Sequence, residues 1–327
     1  MAAALDPATA PIAPHAPVVK LSGGDVATAA RALLKGATEA VGLNYAGALG
    51  GDDEAVHQYR IGTRRLRAAI MLFQPVLYIR WVNRTCTELK VVGHTVGAIR
   101  DNDVLRQTLD EASAQIEPSF RAALTPVRDA LITQRRAQHH KAAERLTSAR
   151  YLAMVERIPL APVKKSAASV TVDTLLPEVI RPLWRKLERA GSKLDADSPP
   201  AEFHRLRIKI KRLRYALEMI EPGEMKQTIK AVKRLKEMQD KLGVQHDLAA
   251  AAVWLHESAT AGALPTDTLL AAGALYQVLH RRGLKLARQA WKGWKKLERS
   301  GIIQETLDEI ARRAQTPAHE SDTVNAA

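Results

Sequence analysis

The stretch AVHQYRIGTRRLRAAI at residues 55–70 decides how this chain is read. Wound as an α-helix, it sets Val56, Tyr59, Thr63, Leu66, Ile70 and then Phe73 on one side, and His57, Arg60, Arg64 and Arg67 on another. One face suits a core and the other is cationic. Residues 202–217, EFHRLRIKIKRLRYAL, repeat the arrangement, with Phe203, Leu206, Ile210, Leu213 and Leu217 opposite His204, Arg207, Lys211 and Arg214. Both copies obey the pattern H-x-x-R-I-x-x-[RK]-R-L-R, and their histidines stand 147 residues apart. Residues seven apart on a helix are separated by about 10.5 Å along its axis, so each cationic face is a stripe. A stripe suits a linear polyanion.

The similarity extends beyond this helix. At a spacing of 146, Leu89-Lys90 falls on Leu235-Lys236, Gly97 on Gly243, Asp101 on Asp247, Arg80 and Arg84 on Lys226 and Lys230, and Arg135-Arg136 on Arg281-Arg282. Each half is therefore expected to hold about four helices in the same order. No Asp or Glu lies between Glu54 and Glu88, or between Glu202 and Glu218. An ordinary solvated helix face mixes acids and bases at i,i+4, and cations this dense repel unless an anion neutralises them. Arginine prevails in the first stripe, and its guanidinium fork matches phosphate oxygens.

The rest of the composition agrees with a helical, basic protein. Lys plus Arg number 49 against 35 Asp plus Glu, for a formal net charge of +14, and aromatics are only 4% of the 327 residues. Apolar residues recur at spacings of three and four, and alternating strand patterns are missing. Hydrophobic residues make up 46% of the chain, enough for a substantial core. The sequence divides into an arm at 1–20, a first helical half at 21–157, a Pro- and Ser-bearing linker at 158–173, a second half at 174–313 and a tail at 314–327. Both ends are expected to be disordered. The single cysteine, Cys86, fits a reducing compartment. No secretory signal or membrane span is visible, and the expected location is cytoplasmic.

With these residues assembled, the chain resembles the CHAD domain, the histidine-bearing α-helical domain, in its stand-alone form. The resemblance runs from about Asp25 to Arg313 and rests on HQYRIGTRRLRAAI, VGAIRDNDVL, EFHRLRIKIKRLRYAL and the weaker LGVQHDLAAA. It implies an all-α helical bundle of two similar, roughly four-helix halves around a basic central cavity. It also implies binding of inorganic polyphosphate and association with polyphosphate granules. Motif matching carries a ligand-contact role to His57, Arg60, Arg64 and Arg67, and to His204, Arg207, Lys211 and Arg214. Arg65 and Arg212 match the motif at the edge of each stripe. The second copy departs from the first in having Lys209 for Gly62 and Gln245-His246-Asp247 for Ile99-Arg100-Asp101. No adjoining CYTH-type triphosphate-processing segment is visible, so a fused hydrolase activity is not implied.

Further expected polyphosphate contacts lie outside the motif. Arg80, Arg84 and Lys90 share one helical face, as do Lys226, Lys230 and Lys236; Arg281, Lys285 and Arg288 open a stripe that continues through Lys292 and Lys295, and Arg135 is the counterpart of Arg281. No cofactor or metal site is expected: His57 and His204 have no second His or Cys at i+3 or i+4, and the adjacent His139-His140 point to different sides of a helix. Asp101, Asp103 and Asp247 read first as caps or arginine partners, and only then as ligands of a phosphate-bound cation. No phosphate loop and no nucleophile in a recognisable setting is present, so the expected role is binding without catalysis. Nucleic acid is the second candidate ligand, although aromatic stacking platforms are scarce. A phosphotransferase with His57 or His204 as the phosphorylated nucleophile is the third.

Overall fold

The computed structural model describes residues 18, 24–220, 225–261 and 264–315. Most of the expected N-terminal arm, and the tail beyond residue 315, lie outside the described residues. The described chain is all-α: α1 (Val26–Gly42), α2 (Tyr45–Gly50), α3 (Asp53–Leu72), α4 (Ile79–Ser113), α5 (Pro118–Ala123), α6 (Thr125–Leu146) and α7 (Ala149–Arg157) precede two 3-10 turns. Then come α8 (Val172–Gly191), α9 (Pro200–Glu218), α10 (Lys226–Thr260), α11 (Thr266–Arg299) and α12 (Ile302–Gln315). The motif helices are α3 and α9, and each is followed by a helix of 35 residues, α4 or α10. Among the described residues, no helix is long and apolar enough to cross a membrane.

Local chemistry sets the ends that matter for the site. The Asp52 carboxylate accepts from the Ala55 amide at 2.7 Å, and Asp53 and Glu54 occupy the first turn of α3, where the helix dipole favours negative charge. Helix α9 starts at Pro200, whose fixed φ suits a first helical position. The N-terminus of α10 is capped from another helix. Glu309 of α12 accepts from the Gln227 and Thr228 amides at 3.1 and 2.8 Å and from the Thr228 hydroxyl at 2.9 Å. That contact pins α12 to the start of α10.

The apolar faces read from the two motifs are core faces. Val56, Tyr59, Leu66, Ile70 and Phe73 are fully buried, as are Phe203, Leu206, Ile210 and Leu213. Two hydrophobic cores result, and each draws on both parts of the chain. The larger one joins α1, α3 and the start of α4 to α8, α9, α12 and the end of α11. The smaller one joins Leu109, Val127 and Leu131 to Leu248, Leu255, Leu275 and Leu279. The connecting residues 158–173 also take part, since Ile158, Ala161 and Ala167 are buried and the Lys164 amide donates to the Val76 carbonyl at 2.9 Å. At one contact the packing admits no side chain: a Cβ on Gly191 would lie 1.9 Å from the buried Trp294 ring.

Candidate anion-binding site

The cationic faces of α3 and α9 are turned toward each other, flanked by α4 and α10. Arg60 donates to the Asp101 carboxylate on α4 at 2.6 Å. Its guanidinium also lies over Gly97, where an added Cβ would stand 3.1 Å from Nε. On the other side Arg207 lies over Gly243 of α10 in the same way, and a Cβ there would stand 3.4 Å from its guanidinium. The recurring glycines thus have a physical reason. Each leaves room on a long helix for the planar head of the first motif arginine on the preceding helix.

Electrostatics shows how close the stripes come. Burial is the first cause holding the Arg60, Arg64 and Arg207 guanidiniums below their ordinary pKa. Repulsion across the halves adds to it, Arg207 acting on Arg64 and Arg60 on Arg207. Lys211 is pushed down to about 7, by burial first and then by Arg207, Arg64 and Arg60. Asp101 and Asp247 oppose this, and the Asp247 carboxyl is itself raised, by burial first and by the neighbouring Asp101 among other causes. The neutralising carboxylates therefore come from α4 and α10, outside the acid-free stripes. His57 is lowered by burial and then by Arg100, and His204 by burial and then by Lys211. His246, whose ring centroid is 4.3 Å from that of His204, is pushed to about 4 by burial, then by His204 and Arg207.

Several buried nitrogens in this cluster lack protein partners among the described residues: the Nε donors of Arg60, Arg67 and Arg207, and Nδ1 of His204, which donates when the ring is protonated. A buried unsatisfied donor costs about 1–3 kcal/mol, and an anionic oxygen is the partner that would offset it. Arg67 extends the arrangement at the far end of the stripe, lowered by burial, near Cys86 and repelled by Arg212 of the other half. Burial pushes the Cys86 thiol up.

Other expected contacts are placed elsewhere. Arg135 is held by Asp103 at 2.7 Å and by Asp53. Arg214 is buried, bonded to Glu218 and to Gln239 at 3.1 Å, with its guanidinium carbon 4.6 Å from the Tyr215 ring centroid. Arg65 reaches the same Glu218 at 3.9 Å, so Arg65, Glu218 and Arg214 form an ion cluster tying α3 to α9. Arg80, Arg84 and Lys90 are exposed on α4, as are Lys226, Lys230 and Lys236 on α10, where Lys236 pairs with Asp240 at 2.9 Å. Arg212 is exposed, and so are Arg281, Lys285 and Arg288 on α11, Arg288 lying 3.6 Å from Asp197. Among the described residues, no group of three or more His, Cys, Asp or Glu side chains is arranged to hold a metal ion. Sequence reasoning passed over Arg100 and His246 as site residues. The signal for both was the mismatch between Ile99-Arg100-Asp101 and Gln245-His246-Asp247.

The sequence pattern of the CHAD domain family matches residues 32–256. Two solved structures are similar in fold. PptA from Streptomyces chartreusis has a TM-score of 0.65 at 20% identity, over 81% of this chain and 98% of that one. The CHAD domain from the plant Ricinus communis has a TM-score of 0.63 at 24% identity, over 94% and 97%. A curated relative, the uncharacterized protein MT2285 of Mycobacterium tuberculosis (strain CDC 1551 / Oshkosh), is 23% identical over 235 residues. The matched region is 68% of this chain and 44% of that protein, so the chain spans less than half the length of the curated relative it matches.

Proposed function

Because the chain belongs to the CHAD domain family, we propose that it is a binding module for inorganic polyphosphate, held between the cationic faces of α3 and α9. One observation carries the reading: Arg60, Arg64, Arg207 and Lys211, drawn from both halves, repel one another within a single half-buried cluster. A cluster of this kind is costly without a polyanion to neutralise it. The stripe from His57 to Arg67 runs about 15 Å along the helix, long enough for several consecutive phosphates. Its cations are half-buried between helices, a setting that admits a thin unbranched chain more readily than a base-paired duplex. The resemblance supplies the choice of polyphosphate and the association with granules. The module tethers or shields the polymer and performs no chemistry on it.

The deciding experiment is a competition titration at fixed ionic strength. Long-chain polyphosphate should remain bound when RNA or DNA is added at equal phosphate concentration, and the loss should be steep when salt is raised. Displacement by nucleic acid at equal phosphate would overturn the assignment.

A further inference from the structure

The spacing of 146 that aligns Leu89 with Leu235 also aligns Glu88 with Arg234, Arg145 with Trp291 and Arg150 with Lys296. In the first half these positions form a closed ion cluster, in which the buried Glu88 of α4 accepts from Arg145 of α6 and Arg150 of α7. In the second half the carboxylate is replaced by another cation. Arg234 of α10 shares an open cleft of about 600 Å³ with Trp291, Lys292, Lys295, Lys296 and Arg299 of α11. Lys295 has a carboxylate partner, Glu298 at 3.0 Å. Arg234, Lys292, Lys296 and Arg299 have none among the described residues. Trp291 donates from Nε1 to the Leu194 carbonyl at 3.1 Å, which fixes the indole as a wall of the cleft.

The cleft is separate from the central cluster. Arg234 stands nine residues before Gly243, about two and a half turns of helix, so it projects from the face of α10 opposite the one that seats Arg207. We propose that this cleft is a second anion site, in which a linear phosphoanhydride provides the negative charge that Glu88 provides in the first half. Its arginines and lysines offer the forked and single donors that phosphate oxygens take up. Two chemical sources share this group: inorganic polyphosphate, in which case the inference rests on the function proposed above, and the triphosphate of a nucleotide. Binding on opposite faces of α10 lets one protein cross-link two phosphate chains, or hold two stretches of one long chain with raised avidity.

The test is calorimetry of the full chain with tripolyphosphate, comparing the unaltered protein with Arg234→Glu and with Lys141→Glu, an equal charge change on the exposed face of α6. The expected result is two tripolyphosphates per chain for the unaltered protein and for Lys141→Glu. Arg234→Glu should bind one, its second site weakened at least about tenfold, the scale of losing one charge-assisted hydrogen bond. Lys296→Gln with Arg299→Gln, confined to exposed side chains, should reproduce the loss if the glutamate perturbs folding. A binding stoichiometry that Arg234→Glu leaves unchanged, or equal losses in Arg234→Glu and Lys141→Glu, overturns the proposal. The two readings fail separately. If Arg207→Ala leaves all binding intact while Arg234→Glu abolishes a site, the central site is wrong and the cleft stands; the reverse pattern removes the cleft alone. Tighter binding of a nucleoside triphosphate than of tripolyphosphate at this site assigns the nucleotide source, with Trp291 against the base, and equal or weaker binding assigns the inorganic chain.

Discussion

On α3, Arg60 has a carboxylate at 2.6 Å, that of Asp101, whereas the equivalent Arg207 on α9 has no hydrogen-bonded carboxylate among the described residues and lies beside Lys211 and His246. The third cation of the stripe differs as well. It is Arg64 in the first half, charged at any ordinary pH, and Lys211 in the second, held at about 7. Both halves carry a titratable histidine, but above its range the first half keeps only permanently charged arginines, whereas the second still has an adjustable charge in Lys211. Repetition placed the cations and their carboxylates, Asp101 and Asp247, alike; what differs is that Asp101 hydrogen-bonds its arginine while Asp247 acts on Arg207 only as a nearby charge.

Four expected effects, read from seven substitutions, sharpen or break this comparison. The largest expected effect is on affinity: Arg60→Ala and Arg207→Ala should each weaken polyphosphate binding by about ten- to a hundredfold, the scale of a hydrogen bond to a charged group. A large loss from one and none from the other, read by isothermal titration, would mean that only one half contacts ligand. Next comes a difference in stability. Removing the buried Glu88 with Glu88→Ala leaves Arg145 and Arg150 unpaired and should cost about 2–3 kcal/mol, toward the lower end for a broken ion cluster because Arg150 is mostly exposed. Arg234→Ala at the matching position should leave urea unfolding unchanged or slightly improved.

The third effect is a dependence on pH. Phosphate favours protonated Lys211, His57 and His204, so each takes up a proton on binding, and affinity falls as pH rises between the free and the bound pKa of each group. The lowered histidines act at mildly acidic pH and Lys211 acts above about 7. For the unliganded protein the sign is reversed: a lysine depressed by folding binds fewer protons folded than unfolded, so its contribution to stability rises as pH goes from about 7 toward the ordinary lysine value. Lys211→Met should therefore raise the neutral-pH melting temperature, weaken binding by about tenfold, and flatten the affinity profile above pH 7. An unchanged profile would remove Lys211 from the site. The smallest effect is expected at the glycine seats. Gly97→Ala crowds Arg60 at 3.1 Å and should weaken binding about twofold, the cost of a modest rotamer shift, with less for Gly243→Ala at 3.4 Å.

Much of the architecture could be read directly from the chain. The helical faces of both motifs were visible because burial repeats every three or four residues, and Tyr59, Leu66, Phe203 and Ile210 are buried as that period requires. The cationic stripes were equally legible. What periodicity cannot carry is the partner from another helix. Asp101 reaches Arg60 across 41 residues, Arg135 is held by Asp53 across 82, and Glu309 caps α10 from α12. The separation of Arg60, Arg64, Arg207 and Lys211, which converge, from Arg135 and Arg214, which serve internal ion pairs, depends on such tertiary contacts. Within α9, Lys211 and Arg214 belong to the same stripe by helical angle, and only the position of Glu218 and Gln239 separates their surroundings.

The convergence of the two halves on one site is tested most directly by a double-mutant cycle. Arg60→Ala, Arg207→Ala and the double variant would be titrated with tripolyphosphate, too short to span opposite faces, in an Arg234→Glu background that leaves the central site alone to be read. If both arginines hold one ligand, the two losses depart from additivity by at least about 0.5 kcal/mol. Losses that add to within about 0.3 kcal/mol, with a separate stoichiometry removed by each substitution, would place the stripes at independent sites and contradict the account.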